Sequence, residues 1–175
     1  ITGDAIAMAL RHGVACEHLD YIQIHPTTLY SHRKGRRFLI SESVRGEGAL
    51  LLDKNGNRFT NELQPRDVVS AAIRAQMEKD STDHVWEDMR PIGEAAIREH
   101  FPNILERCEG EGYDPIHEPF PVVPAQHYFM GGITADLSGR TALPRLYACG
   151  ETCCNGVHGR NRLASNSLLE SLVFA

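Results

Sequence analysis

The sequence predicts an α+β fold through its middle, framed at both ends by pieces of a second unit. Three observations lead there: β-type runs joined by a turn around residues 37–59, a switch to helical spacing at residues 65–79, and elements that look cut short at both ends. With 175 residues, 42% of them hydrophobic, the chain is long enough to bury a real core.

Residues 4–11 read as a short helix closed by Gly13, and residues 21–25 alternate as a strand that Pro26 ends by forcing His25 into the extended region. Residues 37–42 and 49–53 read as strands, and the turn Lys54-Asn55-Gly56-Asn57 folds the second back against Arg58 and Phe59. Val68, Val69, Ala72, Ile73, Gln76 and Met77 then recur at helical spacing, with Pro65 just inside the start. A second helix is expected at residues 92–100. Residues 109–124, rich in Gly, Pro and acids, read as a linker; residues 125–130 and 146–149 read as strands. Ser167 and Glu170 have the spacing of a capping box, with Leu168, Leu169, Leu172 and Val173 at core positions of a closing helix. That helix stops without a C-cap, so the chain is expected to be an internal segment of a longer polypeptide.

A net charge of −5, a pI near 6.0 and scattered basic residues give no stripe for a phosphate backbone, which excludes a nucleic-acid partner. Apolar runs fall far short of the ~20 residues of a membrane span, and no secretory signal opens the chain, so cytoplasm is the expected location. Five cysteines at irregular spacing argue for reduced thiols. Cys149, Cys153 and Cys154 near His158 raise the alternative of a metal- or protein-binding module. Without a CxxC, and with adjacent cysteines that cannot easily both reach one tetrahedral ion, no metal is expected.

The tail concentrates binding chemistry. Gly156, Gly159, Asn161 and Asn166 form a loop that admits a close ligand, and the helix start at Ser167 offers N–H groups to an anionic ring edge or phosphate. Gly150-Glu151 after a strand places a carboxylate where sugar-type hydroxyls can be read. His25 and His127 end apolar runs, where histidine is more often a satisfied core or edge residue than a catalyst. Arg66 lies in the first turn of its helix, where the dipole disfavours a cation; its ordinary partner would be Asp67 or Glu62. Glu42 and Arg45, three apart, form an arrangement in which a carboxylate can bridge two guanidiniums and pass a proton.

Taken in order, Thr2-Gly3-Asp4, His25-Pro26-Thr27, Glu42-x-x-Arg45-Gly46-Glu47-Gly48, Pro65-Arg66-Asp67-Val68-Val69, His127-Tyr128 with Gly131-Gly132, Ala148 to Glu151, and Asn161 to Leu168 resemble the succinate dehydrogenase, fumarate reductase and L-aspartate oxidase flavoproteins. The resemblance implies a Rossmann-like FAD-binding domain interrupted by a mobile capping domain, with the active site between them. Residues 1–26 and 120–175 would be FAD-domain pieces and residues 27–119 the capping, substrate domain. It implies that His25, Ser41, His127 and Arg162 hold the carboxylates of a small dicarboxylate substrate (L-aspartate, fumarate or succinate). Arg66 would be the acid/base with Glu42 and Arg45 as its relay, and Asp4, Glu151, Ser167 and Leu168 would touch FAD.

The short segment between Phe59 and Pro65, Pro65 itself and the run from Pro121 to Tyr128 resemble the aspartate-oxidising branch. That implies FAD-dependent oxidation of L-aspartate to iminoaspartate on the way to NAD, with a fumarate reductase or succinate dehydrogenase flavoprotein subunit as the alternative. Ser41 stands where the family usually has threonine, and Arg160, where it usually has alanine, adds a cation near Arg162. No GxGxxG occurs, so the phosphate-cradling segment of the FAD domain is expected to precede Ile1, and the chain by itself is expected to be inactive.

Overall fold

The computed structural model describes residues 2–32 and 35–175 as an α+β arrangement of two compact units, Ile24–Ala125 and Ile1–Gln23 with Gln126–Ala175. Within the first unit lie α2 (Glu42–Gly46), β3 (Leu50–Leu52), α3 (Arg66–Asp80), β4 (Val85–Asp88), α4 (Glu94–His100) and α5 (Pro102–Gly110). The strands β2 (Ile22–Leu29) and β5 (Phe120–Phe129) run through the two points where the chain passes between the units. Their sheet has the order β2-β5-β4-β3, with β4 antiparallel to both neighbours.

Register explains the core. Leu51 on β3 pairs with Glu87 on β4, which pairs with Phe120 on β5, and all three are fully buried. Val44 from α2, Val69 and Ile73 from α3, and Ile97 from α4 close over the sheet, each at 0% exposure. An acid in that apolar row is costly to ionise: burial pushes the Glu87 carboxyl up to about 8, with Arg45 pulling it down and Glu62 pushing it further up.

Several sequence expectations are revised. Pro26 does not end β2, which continues to Leu29; β2 is the end strand of its sheet, where a missing N–H is tolerated. Residues 37–42 make only a bridge at Leu39 to Thr28, because Ser41 turns the chain into α2. Pro65 is the N-cap of α3 rather than inside it. The supposed linker at residues 109–124 carries the end of α5 and the start of β5, whose Pro121 and Pro124 obscured the strand. Of the strand expected at residues 146–149, only a bridge between Tyr147 and Arg140 forms. The turn at Gly56, with φ 81°, returns the chain as expected, and Arg58 bridges Leu52.

The second unit holds α1 (Asp4–Arg11), β1 (Cys16–Glu17), β6 (Gly132–Thr134), β7 (Cys153–Cys154) and α6 (Asn166–Val173). Its sheet has the order β1-β6-β7, antiparallel and then parallel, over a small core of Ala9, Val14, Ile133, Ala148 and Cys153. A β-carbon on Gly131 would come within 1.9 Å of the His18 carbonyl oxygen, so only glycine admits this crossing of backbones. Among the described residues no helix is long and apolar enough to cross a membrane.

Glu87 gives the fold a pH signature. Its folded value lies above the ordinary 4.5, so the stability it contributes is full below that pH and is lost as pH rises toward about 8. Urea unfolding across that window is expected to show a downward slope in the parent that is shallower in Glu87→Gln; parallel slopes would place Glu87 in a wetter environment.

Candidate active site

In the first unit, Ser41 caps α2 by accepting from the Ser43 N–H at 3.2 Å, so Glu42 occupies the first helical turn, where a carboxylate is favoured. Arg66 opens α3, where a cation is not. Its partner is Glu42, to which Nε and Nη2 donate at 2.8 and 2.6 Å. Glu62 is bound instead by Arg58, at 2.6 Å. Burial alone would raise the Glu42 carboxyl; the Arg66 hydrogen bond and charge, then Arg45 and His25, outweigh it and hold it low.

Arg45 is 2% exposed and donates through Nη1 to the Glu62 carbonyl at 2.8 Å. Burial makes its guanidinium less basic than usual, partly offset by Glu87 and Glu42. His25 is also buried, with Nε2 at 2.7 Å from the Ile40 carbonyl. A carbonyl only accepts, so Nε2 carries the proton. The structure therefore gathers Glu42, Arg45, Arg66 and His25 into one electrostatic cluster, beside Ser41.

In the second unit, Arg162 is buried and anchored. Its Nη2 donates to Gln23 Oε1 at 3.0 Å, Gln23 Nε2 returns a bond to the Arg162 carbonyl at 2.7 Å, and the guanidinium lies 4.4 Å from the centre of the Tyr128 ring. His127, next to Tyr128 on β5, is exposed. Tyr128 donates to Glu170 Oε2 at 3.0 Å, His158 Nε2 meets the same oxygen at 2.8 Å, and Asn155 donates to Oε1 at 3.0 Å. Burial and then Glu170 push the Tyr128 hydroxyl well above its ordinary range.

Glu170 overturns the expected capping box. The N-cap of α6 is Ser165, at φ 67° with no side-chain cap, while Glu170 points inward to its three donors. In this segment Leu168, Leu169, Leu172 and Val173 are 67, 57, 72 and 68% exposed. Sequence reasoning also missed Gln23, Tyr128 and Glu87. The one available signal was an acid inside the Leu-Leu-Glu-Ser-Leu run. Arg160 lies over the Tyr21 ring at 5.0 Å.

Glu151 accepts the Phe129 N–H through Oε1 at 3.1 Å. A β-carbon at Gly150 would sit 3.4 Å from Ser171 Oγ, so the Glu151 turn packs on α6, one turn beyond Ser167. A carboxylate beside an uncapped helix start fits a flavin, which offers ribityl hydroxyls to the acid and ring carbonyls to N–H groups. Asp4, exposed at the start of α1, takes a hydrogen bond from Thr2. The cysteines do not assemble a centre: Cys153 and Cys154 are buried, Cys149 is exposed, His158 is bound to Glu170, and among the described residues no three His, Cys, Asp or Glu side chains are placed to hold one ion.

Residues 1–168 match the family described as FAD binding domain. The chain belongs to that family. Its cofactor is FAD. The chain is 54% identical to the L-aspartate oxidase of Clostridium perfringens and 50% identical to that of Streptomyces coelicolor, covering 100% and 99% of its own length but 40% and 31% of theirs. Among solved structures, the FrdA subunit of E. coli quinol fumarate reductase superposes with a TM-score of 0.90 at 38% identity, covering 99% of this chain and 33% of FrdA. A quinol-fumarate reductase with menaquinol gives 0.89 at 40%, covering 99% and 34%.

Replacing Glu170 by alanine would leave the Tyr128, Asn155 and His158 donors without their acceptor, at about 1–3 kcal/mol each. A loss of roughly 3 kcal/mol or more in denaturant unfolding is expected; a loss under about 0.5 kcal/mol would show that water replaces the carboxylate.

Proposed function

We propose that this chain is part of an FAD-dependent L-aspartate oxidase, which removes a hydride from Cα and a proton from the amino group of L-aspartate to leave iminoaspartate. The observation that carries the reading is Arg66 clamped by Glu42 in a chain 54% identical, end to end, to an L-aspartate oxidase. The relatives that are fumarate reductases lie further off, at 38–40% identity, which makes succinate–fumarate chemistry the second reading.

In this reading the unit Ile24–Ala125 is the capping domain, and the other unit belongs to the FAD-binding domain. FAD supplies the two-electron acceptor, with Glu151, Ser167, Leu168 and Asp4 against it. His25, Ser41, His127 and Arg162 hold the two substrate carboxylates through charge-assisted hydrogen bonds. The ring-stacked, Gln23-anchored guanidinium of Arg162 supports this, because a pre-set fork loses little entropy on binding. Arg66 exchanges the proton at the substrate. A free guanidinium with a pKa above ~12 is a poor base, so Glu42 must take up the proton as Arg66 releases it.

The exposed apolar residues of α6 and of α1, Met8 and Leu10 among them, support a further segment of the FAD domain as the partner of this chain. The reaction needs only solutes of the cytoplasm, which is the location we infer.

Two variants of the flavin-loaded enzyme test the assignment. Arg66→Lys keeps a charge but loses the planar fork, so flavin reduction by L-aspartate in stopped flow is expected to slow by orders of magnitude at normal FAD content; an unchanged rate removes Arg66 from the chemistry. Arg162→Ala is expected to raise KM for L-aspartate more than tenfold, about 1.4 kcal/mol, with a smaller effect on kcat. An enzyme that reduces fumarate with succinate as product, yet leaves L-aspartate untouched, would establish the second reading instead.

A further inference from the structure

Arg45 and Glu87 form an incomplete pair in the core of the unit Ile24–Ala125. The Nε and Nη2 donors of Arg45 and both carboxylate oxygens of Glu87 are fully buried, and none of the four has a hydrogen-bond partner among the described residues. Each residue feels the other's charge. A buried guanidinium with two idle donors and a buried carboxyl with no hydrogen-bond partner are complementary, yet no bond joins them among the described residues.

Arg45 is tied through Nη1 to the Glu62 carbonyl, while Glu87 is fixed in the row Leu51, Glu87, Phe120 by pairing on both sides of β4. The groups facing Glu87 are Arg45 from α2, Glu62 from the segment before α3, and the buried Cys108 thiol from α5, which Glu87 helps push up to about 12. Glu62 is itself occupied by Arg58 and by the Leu51 N–H. Arg45 thus acts on Glu87 and is at the same time one of the cations that hold Glu42 ionised.

We propose that Glu87 is a positioning residue for the Arg66–Glu42–Arg45 cluster: as a neutral acid it leaves the charge of Arg45 directed at Glu42, and on ionisation it draws that guanidinium toward β4 and slackens its hold on Glu42. The change is one proton leaving Glu87 to solvent, with no other bond made or broken. The pH at which the cap loses its grip is set by burial, which puts the Glu87 transition near 8. The catalytic consequence rests on the functional reading above; the Glu87–Arg45 coupling does not.

The test uses the ¹⁵N-arginine-labelled chain and follows the Arg45 Nε–H resonance, assigned by its loss in Arg45→Lys, from pH 6 to 10. It is expected to shift with a midpoint near 8 in the parent and to stay still in Glu87→Gln. Glu87→Leu, of similar volume and without an ionisable group, repeats the comparison if the amide does not fold. In the flavin-loaded enzyme, fumarate reduction, which needs a proton delivered to carbon, is expected to decline through the same midpoint in the parent and not in Glu87→Gln. An Arg45 resonance that titrates identically in parent and variant overturns the proposal, as do superimposable fumarate profiles. If Arg45 behaves as expected but the enzyme takes neither L-aspartate nor fumarate, the coupling stands and it is the functional reading that falls.

Discussion

The hydrogen-bonded pair of Arg66 and Glu42 is the constraint on which the Ile24–Ala125 unit is arranged. Each partner sits in the first turn of its helix, which suits the carboxylate on α2 and not the guanidinium on α3. With Glu42 43% exposed, the pair adds about 1 kcal/mol or less after solvent screening, so stability is not what it provides. What it provides is orientation. Val44 and Val69, two or three residues along the same helices, are fully buried, and the Arg66 side chain is itself 11% exposed, so the pair fixes where the guanidinium lies.

The unit containing Arg162 fixes a cation by different means. An amide, a carbonyl and an aromatic face hold Arg162. A desolvated ring contributes about 2 kcal/mol to holding a cation without cancelling its charge. The acid is placed one step back. Glu170 holds the Tyr128 hydroxyl and so fixes the ring on which the guanidinium rests. That demand places the acid of α6 inside, and in this segment four large aliphatic residues of the helix are exposed.

Much of the fold was legible where a local rule and the tertiary outcome agree. The helix of residues 65–79 and the turn at Gly56 followed from spacing and turn chemistry because nothing in the surroundings contradicts them. β4 was not legible, since Val-Trp-Glu-Asp offers two acids where a buried strand should be apolar, and only pairing to Leu51 and Phe120 makes Glu87 a core residue. The capping box at Ser167 and Glu170 failed for a related reason. The spacing was right, but Tyr128, Asn155 and His158, remote in sequence, compete for the carboxylate and win with three hydrogen bonds. Of the site, the residue types and the association of Arg66 with Glu42 were readable only through the ordered motifs of the resemblance, because residues 24 apart carry no periodic signal.

Exposure along the Arg66–Glu42–Arg45 cluster bears on how a proton would travel. A simple line would run from buried substrate outward through ever more exposed groups. Here Glu42 is 43% exposed while Arg45, beyond it, is 2% exposed, so the line turns back into the core after its middle member. In this segment a proton on Glu42 could exchange with water directly. The work left for Arg45 is electrostatic. Together with Arg66 and His25 it holds the Glu42 carboxyl below its ordinary range, which makes Glu42 a group that gives a proton back readily rather than one that stores it. In the proposed reading, delivery of a proton to a substrate carbon would draw on that property. Both directions would draw on Glu42 in that reading, because the Arg66 guanidinium can accept a proton from a substrate only as it passes one on.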